Sequence, residues 1–221
     1  MKSGILNRET AVDLYDQCGT IRSYFDRLHQ HRKGEEKMIC YLIRHGRDDD
    51  TFRGGWSNTP LTVEGVEQVE RLAADILTAD HLNVGIIYSS DLPRAKQTAS
   101  ILAAALSVPI REVSGFREVN NGVLAGMRNH IADEQYPGLY WSALEWEESY
   151  PGGESPRQFF DRVSNAWLDF RTVIRDMDRD VILVTHGGVI NVIQCIEHEI
   201  AYSNKSNPFP IKNAGMIAVE L

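Results

Sequence analysis

The chain is expected to fold as a three-layer α/β/α domain around a mostly parallel central sheet. Two apolar runs read as buried strands that end in histidine and glycine: Met38 to Ile43 before Arg44-His45-Gly46, and Val181 to Val184 before Thr185-His186-Gly187-Gly188. Around them, strand and helix signals alternate, which is the pattern of a layered α/β domain. The composition agrees, because 221 residues with 43% apolar content can bury one sizeable core.

Val12, Tyr15, Cys18, Ile21, Phe25 and Leu28 recur at three- and four-residue steps, giving residues 8–30 one apolar helical face that Gly19 weakens. The charged stretch His31 to Lys37 separates this helical extension, residues 1–37, from a domain at 38–221. Such an extension suits a cover for the sheet's first edge, a regulatory arm or a subunit contact, which makes a homodimer the candidate assembly.

A polar loop, RDDDTFRGGWSNTPL, follows the first strand, where sites on open α/β sheets lie. Thr62 is placed to cap a helix running to about Asp80, with Val66, Val69, Leu72, Ala73, Ile76 and Leu77 keeping the apolar period. Val84 to Tyr88 reads as a second strand. Ser90 or Asp91 is placed to cap a helix from Leu92 to about Leu106, with Pro93 in its first turn, where a missing N–H costs nothing.

Val108 to Gly153 reads as loops and short helices, including a lid-like insertion around 120–152. Ser155 opens a long helix bearing Phe159, Val163, Trp167, Phe170 and Ile174. The run Val181 to Val184 is a central strand, Val189 to Ile196 a buried helix, and Gly215 to Leu221 a last strand.

The formal net charge of −8 disfavours nucleic acid or an anionic membrane as partner, while leaving room for a local cationic pocket. Cys18, Cys40 and Cys195 are odd in number and far apart, so they supply neither a disulfide framework nor a CxxC pair. With no apolar run of signal-peptide or membrane length, the chain is expected to be soluble and cytoplasmic.

Carboxyl ends of neighbouring strands converge on one sheet edge, so His45 and His186 are expected to meet. Arg44, at the end of an apolar strand, needs an anion, and its fork fits phosphate oxygens. Arg94 sits in the first turn of its helix, where free N–H groups also attract anions. Two arginines and two histidines beside glycines that permit close approach, Gly46 and Gly187, describe a hole for phosphate. A metal fits less well, because carboxylates at ligand spacing do not accompany the histidines.

These residues resemble the histidine phosphatase superfamily, in the branch of cofactor-dependent phosphoglycerate mutases and broad-specificity phosphatases. The hallmark stands as LIRHG, residues 42–46, followed by Ser90-Asp91-Leu92-Pro93-Arg94-Ala95-Lys96-Gln97-Thr98, Gly153-Glu154-Ser155 and VTHGG, residues 184–188. Together, in family order over 38–221, they are specific; RHG alone is weak.

The resemblance implies a phosphoglycerate mutase-like fold, His45 as the nucleophile that takes the phosphoryl group, Arg44 and Arg94 on its non-bridging oxygens, and His186 in support. It places Glu118 as the proton donor and Thr51 and Gly187 near the phosphate, with no cofactor and no metal. A carboxyl that donates near neutrality needs a raised pKa, which desolvation can supply.

The loop after the hallmark departs from the family pattern: Arg47 and three aspartates stand where Glu or Gln and then Thr or Ser are usual. Asp48, Asp49 and Asp50 are expected to form a solvated turn. The insertion offers Arg128 and His130 among several glutamates, too little positive charge to retain an anionic intermediate. A metal-independent hydrolase acting on a small phosphomonoester is therefore preferred to a phosphoglycerate mutase, an isomerase, or to a non-catalytic phosphate- or phosphopeptide-binding module. Tyr136, Leu139, Tyr140, Trp141, Leu144, Trp146 and Tyr150 suit either a lid over the substrate or an ordinary subdomain core.

Overall fold

The computed structural model describes residues 38–79 and 82–221; the helix expected at 8–30 lies outside them. Five strands are present, β1 (Ile39–Arg44), β2 (Val84–Ser89), β3 (Ile110–Glu112), β4 (Asp180–Thr185) and β5 (Met216–Glu220), in the spatial order β3-β2-β4-β1-β5. All neighbours are parallel except β5, which runs antiparallel to β1. The edges are thus β3 and β5, and β1 lies inside the sheet.

Alternation along the strands builds two cores, as period-two geometry requires. Ile39, Tyr41 and Ile43 of β1 join Ile182 and Val184 of β4 on one face. There they pack against α1 (Val63–Leu77) and α2 (Pro93–Leu106). Cys40, Leu42, Val181 and Leu183 point the other way, onto α4 (Pro156–Ile174) and α5 (Gly187–Glu197). Both β1 and β4 are buried on both faces, which explains their unbroken apolar sequence.

The starts of α1, α2 and α4 follow local chemistry in two of three cases. Thr62 Oγ1 accepts from the Gly65 N–H at 3.0 Å, and α1 stops at Leu77, three residues short of Asp80. Ser155 opens α4 with a reciprocal capping box with Gln158. The start of α2 differs from expectation: Leu92 is the cap residue and carries no side-chain cap bond, because Asp91 is drawn to Arg117 and the Ser90 hydroxyl turns to His186.

The segment expected to be irregular contains the short edge strand β3, a seven-residue helix α3 (Asn129–Gln135) and three single 3₁₀ turns. Leu124, Ala132, Leu144 and Tyr150 give it a small core of its own. No helix among the described residues is long and apolar enough to cross a membrane.

Candidate active site

The carboxyl ends of β1, β2 and β4 meet at one edge. The His45 N–H donates to the Thr185 carbonyl at 3.0 Å and the Ser90 N–H to the Val184 carbonyl at 2.9 Å, so the three strand ends are tied together. The rings of His45 and His186 lie 5.1 Å apart, centroid to centroid, at 57°. Gly46 is required here, since a Cβ would lie 2.5 Å from the Gly65 carbonyl oxygen on α1.

His45 has one ring nitrogen held by its own chain and the other turned toward Arg94. Its Nδ1 lies 2.7 Å from the Gly46 carbonyl oxygen, and because a carbonyl can only accept, Nδ1 carries the proton. The opposite nitrogen, Nε2, keeps a lone pair that accepts from Arg94 Nε–H at 3.2 Å. Burial, followed by the nearby Arg94 charge, holds the imidazole pKa well below 6.5, so the ring is neutral despite the opposing pull of the Gly46 bond.

Arg94 is only 2% exposed, which removes it from the ordinary surface ion pairs. Its terminal nitrogens are held by the Gly55 carbonyl at 2.8 Å and by Ser57 Oγ at 3.3 Å. Thr98, one turn on, donates to the Arg94 carbonyl and accepts the Gly46 N–H, which locks α2 to the end of β1. Burial lowers the guanidinium pKa, and the Asp48 and Glu118 carboxylates oppose that shift.

Arg44 donates from one terminal nitrogen to the Ile211 carbonyl at 2.7 Å, while its buried Nε has no protein partner. His186 pairs its Nε2 with the Ser90 hydroxyl at 2.8 Å, leaving Nδ1 buried and unpartnered. Burial and then Arg94 keep this ring neutral as well. A phosphoryl oxygen is the kind of group that satisfies such nitrogens. Among the described residues, no three His, Cys, Asp or Glu side chains group as metal ligands.

Glu118 joins the cluster from the segment after β3. Its Oε2 accepts the Gly188 N–H at the start of α5, and Oε1 accepts the Val119 N–H, each at 3.1 Å. A Cβ on Gly188 would lie 2.4 Å from Oε1, so the close approach of this carboxylate explains that glycine. Behind it, Arg162 donates to the carbonyls of Gly115, Arg117 and Glu118 while paired with Glu154, and Trp56 Nε1 donates to the Glu118 carbonyl at 2.6 Å.

The structure therefore brings together Arg44, His45, Arg94, Glu118 and His186, with Gly187 alongside: a Cβ there would lie 3.6 Å from Arg44 Nε. Thr51 is placed differently, its hydroxyl donating to Asp49 Oδ1 at 2.7 Å on an exposed turn. Asp49 and Asp50 form the expected solvated turn. Asp48 does not, for its Oδ2 lies 3.4 Å from Arg94 Nε.

Arg128 and His130 are exposed, and Arg128 stacks over Phe52. Leu144 and Tyr150 are subdomain core, with Tyr136, Leu139 and Trp141 packed on it. The sequence assigns no role to Ser57 and Arg162, and to Ser90 only that of a candidate helix cap. Ser90 was within reach, since it opens the Ser-x-Leu-x-Arg stretch, whereas nothing local marks Arg162.

A model of the histidine phosphatase superfamily, branch 1, matches residues 40–221. The Salmonella choleraesuis protein named "Probable phosphoglycerate mutase GpmB" is 34% identical over 134 residues, 58% of this chain and 61% of that protein. The chain thus spans about three-fifths of the curated relatives it matches. Among solved structures, a mycobacterial glucosyl-3-phosphoglycerate phosphatase with inorganic phosphate is 26% identical, with a TM-score of 0.62 over 82% of this chain and 88% of that one. The alpha-ribazole phosphatase from Shigella flexneri shares the fold at 24% identity, with a TM-score of 0.68 over 83% and 91% of the two chains. With its hallmark residues gathered at the carboxyl edge of the sheet, the chain belongs to branch 1 of the histidine phosphatase superfamily.

Proposed function

We propose that the chain hydrolyses small phosphomonoesters through a phosphohistidine on His45. The observation that carries this reading is the geometry of that ring: Nδ1 is fixed by the Gly46 carbonyl, and Nε2 is neutral and aimed at a buried guanidinium. In the first step Nε2 attacks phosphorus, the phosphorus–oxygen ester bond breaks, and Glu118 gives a proton to the departing alcohol oxygen. In the second, water attacks the phosphohistidine, the nitrogen–phosphorus bond breaks, and Glu118 takes the water's proton. Arg44, Arg94 and His186 hold the non-bridging oxygens through both steps, which lowers the barrier where negative charge is spread.

Hydrolysis is favoured over phosphoglycerate mutation because the basic residues of the insertion are few, Arg128 and His130, both are exposed, and Arg128 is engaged with Phe52. A purely binding module is disfavoured because holding phosphate needs no positioned carboxyl such as Glu118. A reducing, cytoplasmic setting belongs to the same reading and draws on the free state of Cys40 and Cys195.

The test is a screen of small phosphomonoesters after exhaustive chelation, with acid-labile, base-stable phosphate on His45 sought by rapid quench. Turnover that survives chelation and vanishes in His45→Gln supports the reading. Turnover that needs added metal, or persists in that variant, rejects it.

A further inference from the structure

The three consecutive aspartates after the hallmark are separated by the fold. Asp50 has a side chain 74% exposed and pairs with Arg47 at 3.1 Å. Asp49 accepts both the N–H and the hydroxyl of Thr51. Asp48 turns inward, 19% exposed, with Oδ2 3.4 Å from the Arg94 nitrogen whose N–H faces the attacking atom of His45.

This placement is built into the backbone. Asp48 forms a bridge with Leu61, the Thr62 N–H donates to the Arg47 carbonyl at 2.9 Å, and Gln68 and Gln97 accept from Arg47 and Leu61. The loop is thereby fastened to the heads of α1 and α2. Arg94 cannot swing away either, since Gly55 and Ser57 hold its other nitrogens.

With both histidines neutral, Arg44 and Arg94 supply the positive charge in contact with the hole, and Asp48 offsets one of them. The open cleft of about 620 Å³ beside Arg44 adds no surplus, since Arg47, Arg71 and Lys212 share its lining with Asp50, Glu64 and Asp75.

We propose that Asp48 is a specificity-determining residue, a fixed carboxylate in the wall of the phosphoryl hole. It selects phosphomonoesters that carry no second anion near the ester and speeds the release of inorganic phosphate. The inference rests on the reading that the phosphoryl group binds at His45. Its physical basis is like-charge repulsion at short range, which discriminates against the wrong ligand more than it strengthens the right one.

The test compares D48N with D50N, which removes the same charge from the exposed side of the same loop. Each is assayed for kcat/KM on a hexose monophosphate and the corresponding bisphosphate, and for inhibition by inorganic phosphate. D48N is expected to raise the bisphosphate-to-monophosphate ratio about tenfold and to lower the phosphate inhibition constant by about the same factor, with D50N within about twofold of the parent. Asp48→Glu keeps the charge and is expected to keep the discrimination. An unchanged ratio in D48N, or an equal gain in D50N, overturns the proposal. If D48N does not fold, Asp48→Ser removes the charge and is read in the same way. Calorimetric binding of inorganic phosphate needs no turnover, so it decides the role of Asp48 even if no phosphomonoester is hydrolysed. Tighter binding by D48N supports the proposal, and equal affinity overturns it.

Discussion

The ends of β1 and β4 carry nearly the same chemistry, a histidine followed by glycine after a buried strand, yet the fold makes them unequal. His45 spends Nδ1 on its own chain, at the Gly46 carbonyl, and presents Nε2 to Arg94. His186 spends Nε2 on Ser90 of a neighbouring strand end and keeps Nδ1 without a protein partner. Both rings are neutral for the same reason, burial beside guanidiniums. In the proposed mechanism, what separates the attacking imidazole from the supporting one is which nitrogen is held, and by whom. The His-Gly pattern they share does not by itself encode that division; in the sequence only the family resemblance implies it.

The largest effect that would break this comparison is loss of the proposed nucleophile. His45→Gln is expected to lower kcat by at least about 10³-fold and to leave no phosphoenzyme at any incubation time, read by rapid quench. His186→Ala is expected to lower kcat by about 10²-fold, the scale of one lost electrostatic contact, while phosphohistidine still accumulates slowly on His45. If the two variants behave alike in the trapping experiment, the division of roles is wrong.

Ser90→Ala sharpens the contrast further. It frees the His186 ring without touching His45, so kcat should fall about fivefold, the worth of one hydrogen bond, with phosphoenzyme still formed. A loss as large as that of His186→Ala would make Ser90 a direct ligand of the phosphoryl group.

The smallest effect concerns pH and stability. Both histidines have folded-state pKa values below the unfolded value of about 6.5. Below that pH the unfolded chain takes up protons that the folded chain refuses, so stability is present above about 6.5 and is lost as pH falls toward the depressed folded values. Tm should therefore drop between pH 7.5 and 5.5, and less steeply when both positions are Gln. Equal slopes in the two proteins would show that other groups govern the acid limb.

Legibility in the sequence followed the range of the interaction. Arg44, His45 and His186 could be placed because an apolar strand must end where polar residues and glycine begin, and such ends gather at one sheet edge. The Thr62 and Ser155 caps were readable because each bond closes within three residues. The start of α2 differs from the sequence expectation for the opposite reason. Ser90 and Asp91 are good local caps, but His186 and Arg117, remote in sequence, compete for them. The helix expected from Val189 starts two residues earlier, since Gly187 and Gly188 form the first turn of α5, where Glu118 leaves no room for a side chain at position 188.

Asp48 marks the boundary most clearly. Three aspartates in a row look alike, and solvation is the cheapest environment for a carboxylate. The bridge to Leu61 and the anchoring of the loop on α1 turn one of them into the site.

Periodic burial, strand ends and short-range caps were sufficient to specify the layers and to place Arg44, His45 and His186 at strand ends, because those depend on neighbours a few residues apart. The strand order, the inward turn of Asp48, the brace of Arg162 behind Glu118 and the unequal use of two imidazoles were settled by contacts between segments far apart in the chain. Such contacts exist only once the layers have packed, and no local pattern encodes them.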